Sequence, residues 1–299
     1  MARALVVGEA LVDITRRADG SVAEHPGGSP LNVAVAMSRL GVDTTLATTV
    51  GDDRLGALVR AHVAASGVEL LDVGPPGATA SATATLDSEG AASYEFDLRW
   101  DPTDLPDPTG YDLLHVGSIG AWMPPGSAAV AELTRRASAV GLPVGFDPNV
   151  RPSLSPQLEA LRRQVLAIAG NARFVKLSDE DAAALVGADA DPEQATLELA
   201  SHGPVLAALT RGGRPAVLRS GEHRVEVATP HTEVVDTIGA GDTWMGAMLA
   251  ELLLRDWAGR DYFEADELRA LGGVAAVAAA INCSRPGADP PWQHELFDR

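Results

Sequence analysis

The stretch DTIGAGDTWMGAML, residues 236–249, combines a glycine turn, an aspartate and the start of a long apolar run. Gly239, Ala240 and Gly241 carry almost no side chain, so their amides can approach a ligand closely. The run from 244 to 254 predicts a helix, and the first N–H groups of a helix have no partner within it. Those amides and the helix dipole favour an anion, and Asp242 can accept a proton from a nearby hydroxyl. The spacing alone is equally typical of a tight turn with an aspartate N-cap.

Strand-like apolar runs alternate with helical ones along the rest of the chain. We predict buried strands at 3–8, 112–117, 142–147, 173–178 and 204–210, and helices at 30–41, 127–140, 155–169 and 179–186. This alternation implies right-handed crossovers and a mainly parallel sheet covered by helices on both faces.

Two stretches, residues 79–98 and 215–228, predict hairpins instead. The first turns at Ser-Glu-Gly and lacks continuous apolar character, so we expect it to form a small antiparallel sheet outside the main one. Residues 1–299 are therefore expected to fold as one α/β domain with a β attachment.

The composition limits the function classes. The 41 acidic residues outnumber 23 basic ones and give a formal net charge of −18, which argues against nucleic acid and membrane surfaces as partners. The single cysteine, Cys283, excludes an intramolecular disulfide and a cysteine-based zinc cluster. The opening MARALVVGEALVD has too short an apolar run for a signal peptide or membrane span, so the cytoplasm is the expected location.

The sequence does not match three other motifs for nucleotide binding or nucleophilic catalysis. The only lysine, Lys176, has no Walker-type context. Trp244 takes the place of the last glycine in a dinucleotide-binding Gly-x-Gly-x-x-Gly, and the esterase motif Gly-x-Ser-x-Gly is absent.

The stretch 236–249 resembles the Asp-Thr-x-Gly-Ala-Gly-Asp motif of the ribokinase-like (PfkB) carbohydrate kinases. The segment GGSPLNVAVAMSRLG (27–41) is similar to that family's glycine pair, asparagine and helix. GEALVD (8–13), DPNVRPSL (147–154), KLSDED (176–181) and RPGADP (285–290) follow in the family's order, so the resemblance covers nearly the whole chain. It implies a ribokinase-like α/β fold and sugar kinase activity with ATP and Mg²⁺.

The resemblance also implies roles for individual residues. Asp242 would be the catalytic base, with the amides of Gly239, Ala240 and Gly241 as the anion hole. Sugar contacts fall on Asp13, Gly27, Gly28, Asn32 and Arg151, and nucleotide contacts on Lys176, Ser178, Thr210, Gly212 and Asn282. Residues 79–100, with residues near 13–25, would form a lid over the sugar that excludes water.

The metal-binding positions depart from the family's pattern. KLSDED matches an Asn-x-x-Glu element that organises magnesium through water, but Ser178 replaces the asparagine and Asp181 the glutamate, so Glu180 is a second candidate. A helix capping box formed by Ser178 and Asp181 is the competing structural explanation. Pro215 replaces the last glycine of a nucleotide loop. The family further implies a monovalent cation, potassium, held by carbonyls of two segments that contain Asp236, Ile238, Arg285 and Gly287.

The motifs GEALVD, LHVGS (114–118) and FDPNVRP (146–152) are most similar to those of bacterial fructokinases. Only Arg99 supplies a positive charge in the lid stretch, so a neutral sugar, fructose first, is favoured over a sugar phosphate. 2-Keto-3-deoxygluconate, whose carboxylate could meet Arg151 or Arg99, is the alternative, followed by ribose or a nucleoside. A non-catalytic sugar or nucleotide sensor on the same fold is the alternative from another class. Relatives often pair through their lids, so we expect a homodimer.

Overall fold

The computed structural model describes residues 1–86, 92–154 and 157–296. In this part of the chain the strands are β1 (Arg3–Val7), β2 (Leu11–Arg16), β3 (Val22–Gly27), β4 (Asp43–Thr48), β5 (Glu69–Asp72), β6 (Ala80–Leu86), β7 (Ala92–Asp97), β8 (Leu113–Gly117), β9 (Val144–Asp147), β10 (Phe174–Ser178), β11 (Leu206–Arg211), β12 (Arg214–Ser220) and β13 (His223–Val227). The helices are α1 (Ser29–Arg39), α2 (Arg54–Ala65), α3 (Ser118–Trp122), α4 (Ser127–Ala139), α5 (Leu158–Ala169), α6 (Asp179–Val186), α7 (Pro192–Ala200), α8 (Ala240–Leu254) and α9 (Ala265–Cys283).

The main sheet has the strand order β13-β12-β11-β10-β9-β8-β1-β4-β5. The seven neighbouring strands β11, β10, β9, β8, β1, β4 and β5 are parallel to one another. Next to β11, strands β12 and β13 continue the sheet in antiparallel pairing. Helices cover both faces: Val6 of β1 packs in a cluster with α1, α2, α8 and α9, while its neighbour Leu5 packs in a cluster with α3 to α7. The predicted mainly parallel α/β sheet is confirmed, and the hairpin predicted at 215–228 forms its edge.

A second sheet has the order β3-β2-β6-β7. The β3–β2 and β6–β7 pairs are antiparallel, whereas β2 and β6 run parallel. The hairpin predicted at 79–98 supplies β6 and β7, and its Ser-Glu-Gly turn lies outside the described residues. Residues near 13–25, which were predicted to join this hairpin, lie in β2 and β3.

The parallel strands end at one edge of the main sheet, where open α/β sheets bind ligands. Asp147 ends β9, Ser178 ends β10 and Thr210 stands opposite Ser178 in β11. No helix in the described ranges is long and apolar enough to cross a bilayer.

Helices α1 and α8 pack closely on the same face of the sheet. Residues 242 to 250 of α8 are all buried, as expected for a helix that is apolar on every side. At Gly246 a Cβ would lie 2.7 Å from Cβ of Ala36 and 3.0 Å from the carbonyl oxygen of Val33. The absence of a side chain at Gly246 therefore sets the distance between these two helices.

We predict that Gly246→Ala lowers the free energy of unfolding by about 1–3 kcal/mol, because the added methyl group forces α1 and α8 apart. Gly273→Ala in α9 is the matched control, since a Cβ there meets no atom within 4 Å. That change should stabilise the protein by up to about 1 kcal/mol through helix propensity. Urea unfolding of both variants measures the difference, and equal effects would contradict the tight contact.

Candidate active site

The glycine turn before α8 leaves several backbone amides unbonded. Gly239 is the N-cap in the left-handed region with φ 72°, and α8 begins at Ala240. The Ala240 N–H donates to the carbonyl of Thr237 at 3.2 Å, so it turns away from the role predicted for it. Within the described part of the chain, the N–H groups of Gly239, Gly241 and Asp242 have no acceptor. These three amides at the start of α8 are a candidate anion site, which we call the anion cradle.

Gly239 is required at its position for two reasons. Its positive φ favours glycine, and a Cβ would lie 2.5 Å from Cβ of Ala288. The same Cβ would lie 3.6 Å from Nδ2 of Asn32. The turn thus lies between the start of α1 and the loop that follows α9.

The Asp242 carboxylate is held by the first turn of α1. Its Oδ1 accepts a hydrogen bond of 2.6 Å from Ser29 Oγ, and its Oδ2 accepts one of 2.8 Å from Asn32 Nδ2. The side chain is buried, with the residue 8% exposed. Sequence reasoning predicted Asp242 and Asn32 but missed Ser29. The sequence signal for Ser29 is its position three residues before Asn32, because residues i and i+3 lie on one face of a helix.

Asn32 has one polar atom left for a ligand. Its Oδ1 is buried and, among the described residues, has no hydrogen-bond partner. A buried amide oxygen without a partner is costly, so this atom is a candidate acceptor for a sugar hydroxyl.

The predicted glycine pair brings the small sheet and α1 together. A Cβ at Gly27 would lie 2.5 Å from Oδ2 of Asp13, and one at Gly28, whose φ is 106°, would lie 2.7 Å from the carbonyl oxygen of Glu9. Burial raises the pKa of Asp13, and the charge of His25 lowers it in part. Asp13 therefore lies partly buried next to the start of α1, where its carboxylate is a candidate acceptor for sugar hydroxyl groups.

Lys176 lies directly beside the anion cradle. Its Nζ is 2.7 Å from Oδ2 of Asp147 and would be 3.0 Å from a Cβ on Gly241. Burial opposes the lysine charge, but Asp147, Asp181 and Asp242 outweigh it and raise the pKa of Lys176. Burial raises the pKa of Asp147 to about 6, an effect that Lys176 opposes and the other two carboxylates reinforce. A buried ammonium at this position is a candidate partner for nucleotide phosphate.

Glu9 is a buried carboxyl group that sequence reasoning did not select, although it lies in the quoted segment GEALVD. Its Oε2 accepts a hydrogen bond of 2.8 Å from the N–H of Gly120. Burial raises its pKa to about 7, while hydrogen bonds from Ser118 and backbone amides lower it and the charge of Asp242 raises it. Its side chain links the turn between β1 and β2 to α3.

The predicted magnesium element forms a capping box. Asp181 Oδ2 accepts hydrogen bonds of 2.7 Å from both N–H and Oγ of Ser178, and its Oδ1 accepts one of 2.5 Å from the N–H of Val150. Glu180 is exposed. Among the described residues, no group of three or more histidine, cysteine or acidic side chains lies close enough together to hold a metal ion. The magnesium roles of Glu180 and Asp181 remain predictions.

The other predicted nucleotide residues lie on two sides of the site. Thr210 Oγ1 donates to the Leu177 carbonyl at 3.2 Å, and Gly212, with φ 58°, forms the turn into β12. Buried Asn282 donates through Nδ2 to the carbonyl of Ile238 at 2.8 Å. Its Oδ1 has no partner within the described ranges.

The two segments predicted to hold a monovalent cation are joined to each other. Asp236 accepts hydrogen bonds from the N–H of Ile238 at 3.0 Å and from the N–H of Gly287 at 2.9 Å. The Arg285 side chain pairs with Glu295. The segments are adjacent, as the prediction requires, and the cation itself remains a prediction.

The arginines considered for anionic ligands lie at the surface or are paired. Arg151 is exposed and donates to the carbonyl of Val150 at 3.2 Å. Arg99 lies 3.3 Å from the carboxylate of Asp97. Neither residue contributes a buried, unpaired positive charge.

A carboxylate beside unbonded amides and a buried lysine, with hydroxyl-binding groups next to it, is the arrangement of a phosphotransferase with an alcohol acceptor. The family described as pfkB family carbohydrate kinase matches residues 1–295, and the chain belongs to this family. The predicted family, fold class and enzyme class are thereby confirmed.

Similar proteins include a probable fructokinase of Arabidopsis thaliana, 31% identical over 97% of this chain and 94% of its own length. A fructokinase of Klebsiella pneumoniae is 33% identical over 83% of both chains. Among solved structures, an ATP-bound fructokinase of Xylella fastidiosa superimposes with a TM-score of 0.83 at 26% identity and covers 99% of this chain and 97% of that one. A fructokinase of Vibrio cholerae with fructose, ADP and calcium ion has a TM-score of 0.83 at 25% identity, with 99% and 98% covered.

We predict that Glu9→Gln removes part of the pH dependence of stability. The pKa of Glu9 rises from 4.5 to about 7 on folding, so the folded state binds this proton more tightly. The contribution of Glu9 to the free energy of unfolding is therefore fully present below pH 4.5. It falls by about 3 kcal/mol as the pH rises from 4.5 through 7. Urea unfolding between pH 4.5 and 7.5 should show this fall in the wild type and a flatter profile in Glu9→Gln.

The matched control is Glu132→Gln, which removes an exposed carboxylate paired with Arg135. The pKa of Glu132 is lowered by that pair, so its contribution is lost only at lower pH. Parallel profiles for the wild type and Glu9→Gln would contradict the assignment to Glu9.

Proposed function

We propose that this kinase transfers the γ-phosphoryl group of ATP to a hydroxyl group of fructose. The observation that carries the proposal is the Asp242 carboxylate, held by Ser29 and Asn32 beside the unbonded amides at the start of α8. The fructokinases among the similar proteins support fructose as the acceptor. The ATP-bound and ADP-bound relatives support an adenine nucleotide as the donor.

In the proposed reaction Asp242 accepts the proton of the sugar hydroxyl as that oxygen attacks the γ-phosphorus. The amides of Gly241 and Asp242 and the ammonium of Lys176 stabilise the charge that spreads over the transferring oxygens. Asp13 and the free Oδ1 of Asn32 bind other hydroxyl groups of the sugar.

The charges around the site favour a neutral acceptor. Glu9, Asp13, Asp147 and Asp242 bring carboxyl groups to this region, and the buried Lys176 is already paired with Asp147. A carboxylate or phosphate on the acceptor would meet repulsion from these groups. This argues against 2-keto-3-deoxygluconate, because Arg151 is exposed and Arg99 is paired with Asp97.

Magnesium and a monovalent cation belong to the proposal. Mg²⁺ prefers oxygen ligands and retains water, and the buried Oδ1 of Asp147 is a carboxylate oxygen without a partner among the described residues. When bound with the nucleotide, the ion would neutralise phosphate charge. Asp147, Glu180 and Asp181 are the residues proposed to hold its water shell, and carbonyls near Ile238 and Gly287 are proposed to hold K⁺. The cytoplasm, where ATP is available, is the proposed location.

We predict that Asp242→Asn lowers kcat with fructose by about 10²–10⁴-fold, because asparagine cannot accept the proton. ADP release measured with a coupled assay gives the rate, and fructose binding should be largely retained. Asp266→Asn, which changes an exposed aspartate of α9, is the control and should keep wild-type turnover. Unchanged turnover in Asp242→Asn would remove the base assignment.

The same assay distinguishes the alternative functions. Fructose, 2-keto-3-deoxygluconate, ribose and a nucleoside are compared as acceptors at equal concentration. The highest kcat/KM with fructose is expected. Faster turnover with the keto acid would favour the acidic substrate, and binding of sugar without turnover would favour a sensor.

We further propose that the small sheet covers the sugar and pairs two copies of the chain. Asp13, Ala82 and Phe96 stand opposite one another across β2, β6 and β7, so Phe96 lies on the face that carries Asp13. Tyr94 and Phe96 are 68% and 43% exposed and stack with ring centroids 6.2 Å apart. Two exposed aromatic rings on a sheet favour burial against a second copy.

We expect light scattering to give the mass of a dimer for the wild type and of a monomer for the double variant Tyr94→Ser and Phe96→Ser. Loss of the apolar contact is the physical reason. Tyr262→Ser, which removes an exposed aromatic residue far along the sequence, should remain dimeric. A monomeric wild type would contradict the proposed pairing.

A further inference from the structure

Ser29 places a hydroxyl group of the protein itself on the proposed base. Its Oγ donates to Asp242 Oδ1 at 2.6 Å, the range of a charge-assisted O–H···O⁻ hydrogen bond. Ser29 is 6% exposed and is the first residue of α1, following Gly28 as the N-cap. The acceptor sugar must bring its own hydroxyl within the same distance of this carboxylate, so Ser29 resembles the acceptor in chemistry and position.

The two residues that hold Asp242 differ in what else they can do. Asn32 donates through Nδ2 and keeps a buried Oδ1 free for a sugar hydroxyl. Within the described residues, the bond to Asp242 is the one hydrogen bond of the Ser29 side chain. Binding of sugar thus gives Asn32 a second function, whereas the side chain of Ser29 acts on Asp242 alone within the described residues.

A kinase with an ionised base and bound ATP has a second available acceptor, which is water. In that reaction Asp242 takes a proton from water, the water oxygen bonds to the γ-phosphorus, and the bond to the bridging oxygen of ADP breaks. The products are ADP and inorganic phosphate, and Asp242 later returns its proton to solvent. The reaction needs a water molecule donating to a carboxylate oxygen in the place of the sugar hydroxyl.

We propose that Ser29 is a positioning residue that occupies Oδ1 of Asp242 in the sugar-free enzyme and so suppresses hydrolysis of ATP by water. The inference rests on the proposed role of Asp242 as the base. A sugar whose other hydroxyl groups are held by Asp13 and Asn32 competes with Ser29 for Asp242 through its reacting hydroxyl, whereas a single water molecule lacks those additional contacts. Ser29 therefore makes phosphoryl transfer depend on the sugar.

The experiment compares wild type, Ser29→Ala, Ser29→Thr and the double variant Ser29→Ala with Asp242→Asn. ADP release is measured with ATP alone and with saturating fructose, and the ratio of the two rates is the readout. Ser127→Ala is the matched control, because Ser127 is also a buried serine at the first position of a helix after a glycine N-cap. It lies in α4, on the opposite face of the sheet. Thermal unfolding confirms that each variant is folded.

In Ser29→Ala the ratio of sugar-free to sugar-dependent ADP release should rise about tenfold, the effect of one hydrogen bond to a charged group. Ser29→Thr, which keeps the hydroxyl, should restore the wild-type ratio, and Ser127→Ala should not change it. The double variant should lose the added hydrolysis, because that reaction needs Asp242.

An unchanged ratio in folded Ser29→Ala, with normal fructose turnover in the wild type, would overturn the role of Ser29 alone. Added hydrolysis that persists in the double variant would also overturn it, since another group would then activate the water. Absence of sugar-dependent ADP release in the wild type would instead refute the proposed function.

Discussion

The hydrogen bonds from Ser29 and Asn32 to Asp242 join the first turns of two helices that are more than two hundred residues apart in sequence, with separations of 213 and 210. They form because α1 and α8 lie side by side on one face of the sheet, at a distance set by the missing side chain of Gly246. The position of the carboxylate relative to the amides therefore depends on the packing of the whole domain.

The second constraint is the balance of charge at this edge of the sheet. Glu9, Asp147, Asp181 and Asp242 are buried there, and Lys176 is the buried cation among the described residues. Each carboxylate has an assigned hydrogen-bond donor, which offsets the cost of burying charge. Because negative charge is in excess, the binding of phosphate groups here depends on backbone amides and on cations. A neutral polyol, in contrast, can donate its hydroxyl hydrogen bonds to the carboxylates.

The sequence allowed the main elements and part of the site to be predicted, for different physical reasons. Buried parallel strands such as β1 are continuous apolar runs, so they were found, whereas β4 (DTTLAT) is rich in threonine and was missed. Asp242 and Asn32 were found through motifs of glycine, aspartate and asparagine. Ser29 was missed although its spacing of three places it on the same face of α1 as Asn32. Glu9 was missed because its partner, Gly120, comes from a distant segment, about which local spacing carries no information. The spacing of Ser178 and Asp181 fits a capping box and a metal element alike, and the structure forms the capping box.

The links between the anion cradle and the segment after α9 affect the order in which the enzyme is made. Asp236 bonds to the amide of Gly287, Asn282 bonds to the carbonyl of Ile238, and Gly239 lies against Ala288. All three partners follow both the sheet strands and the turn in the sequence, so they are synthesised later than the segments they contact. The sheet can be complete while the turn before α8 still lacks the contacts that fix its shape. A nascent chain would thus form the strands of its sheet before its anion cradle takes its final shape.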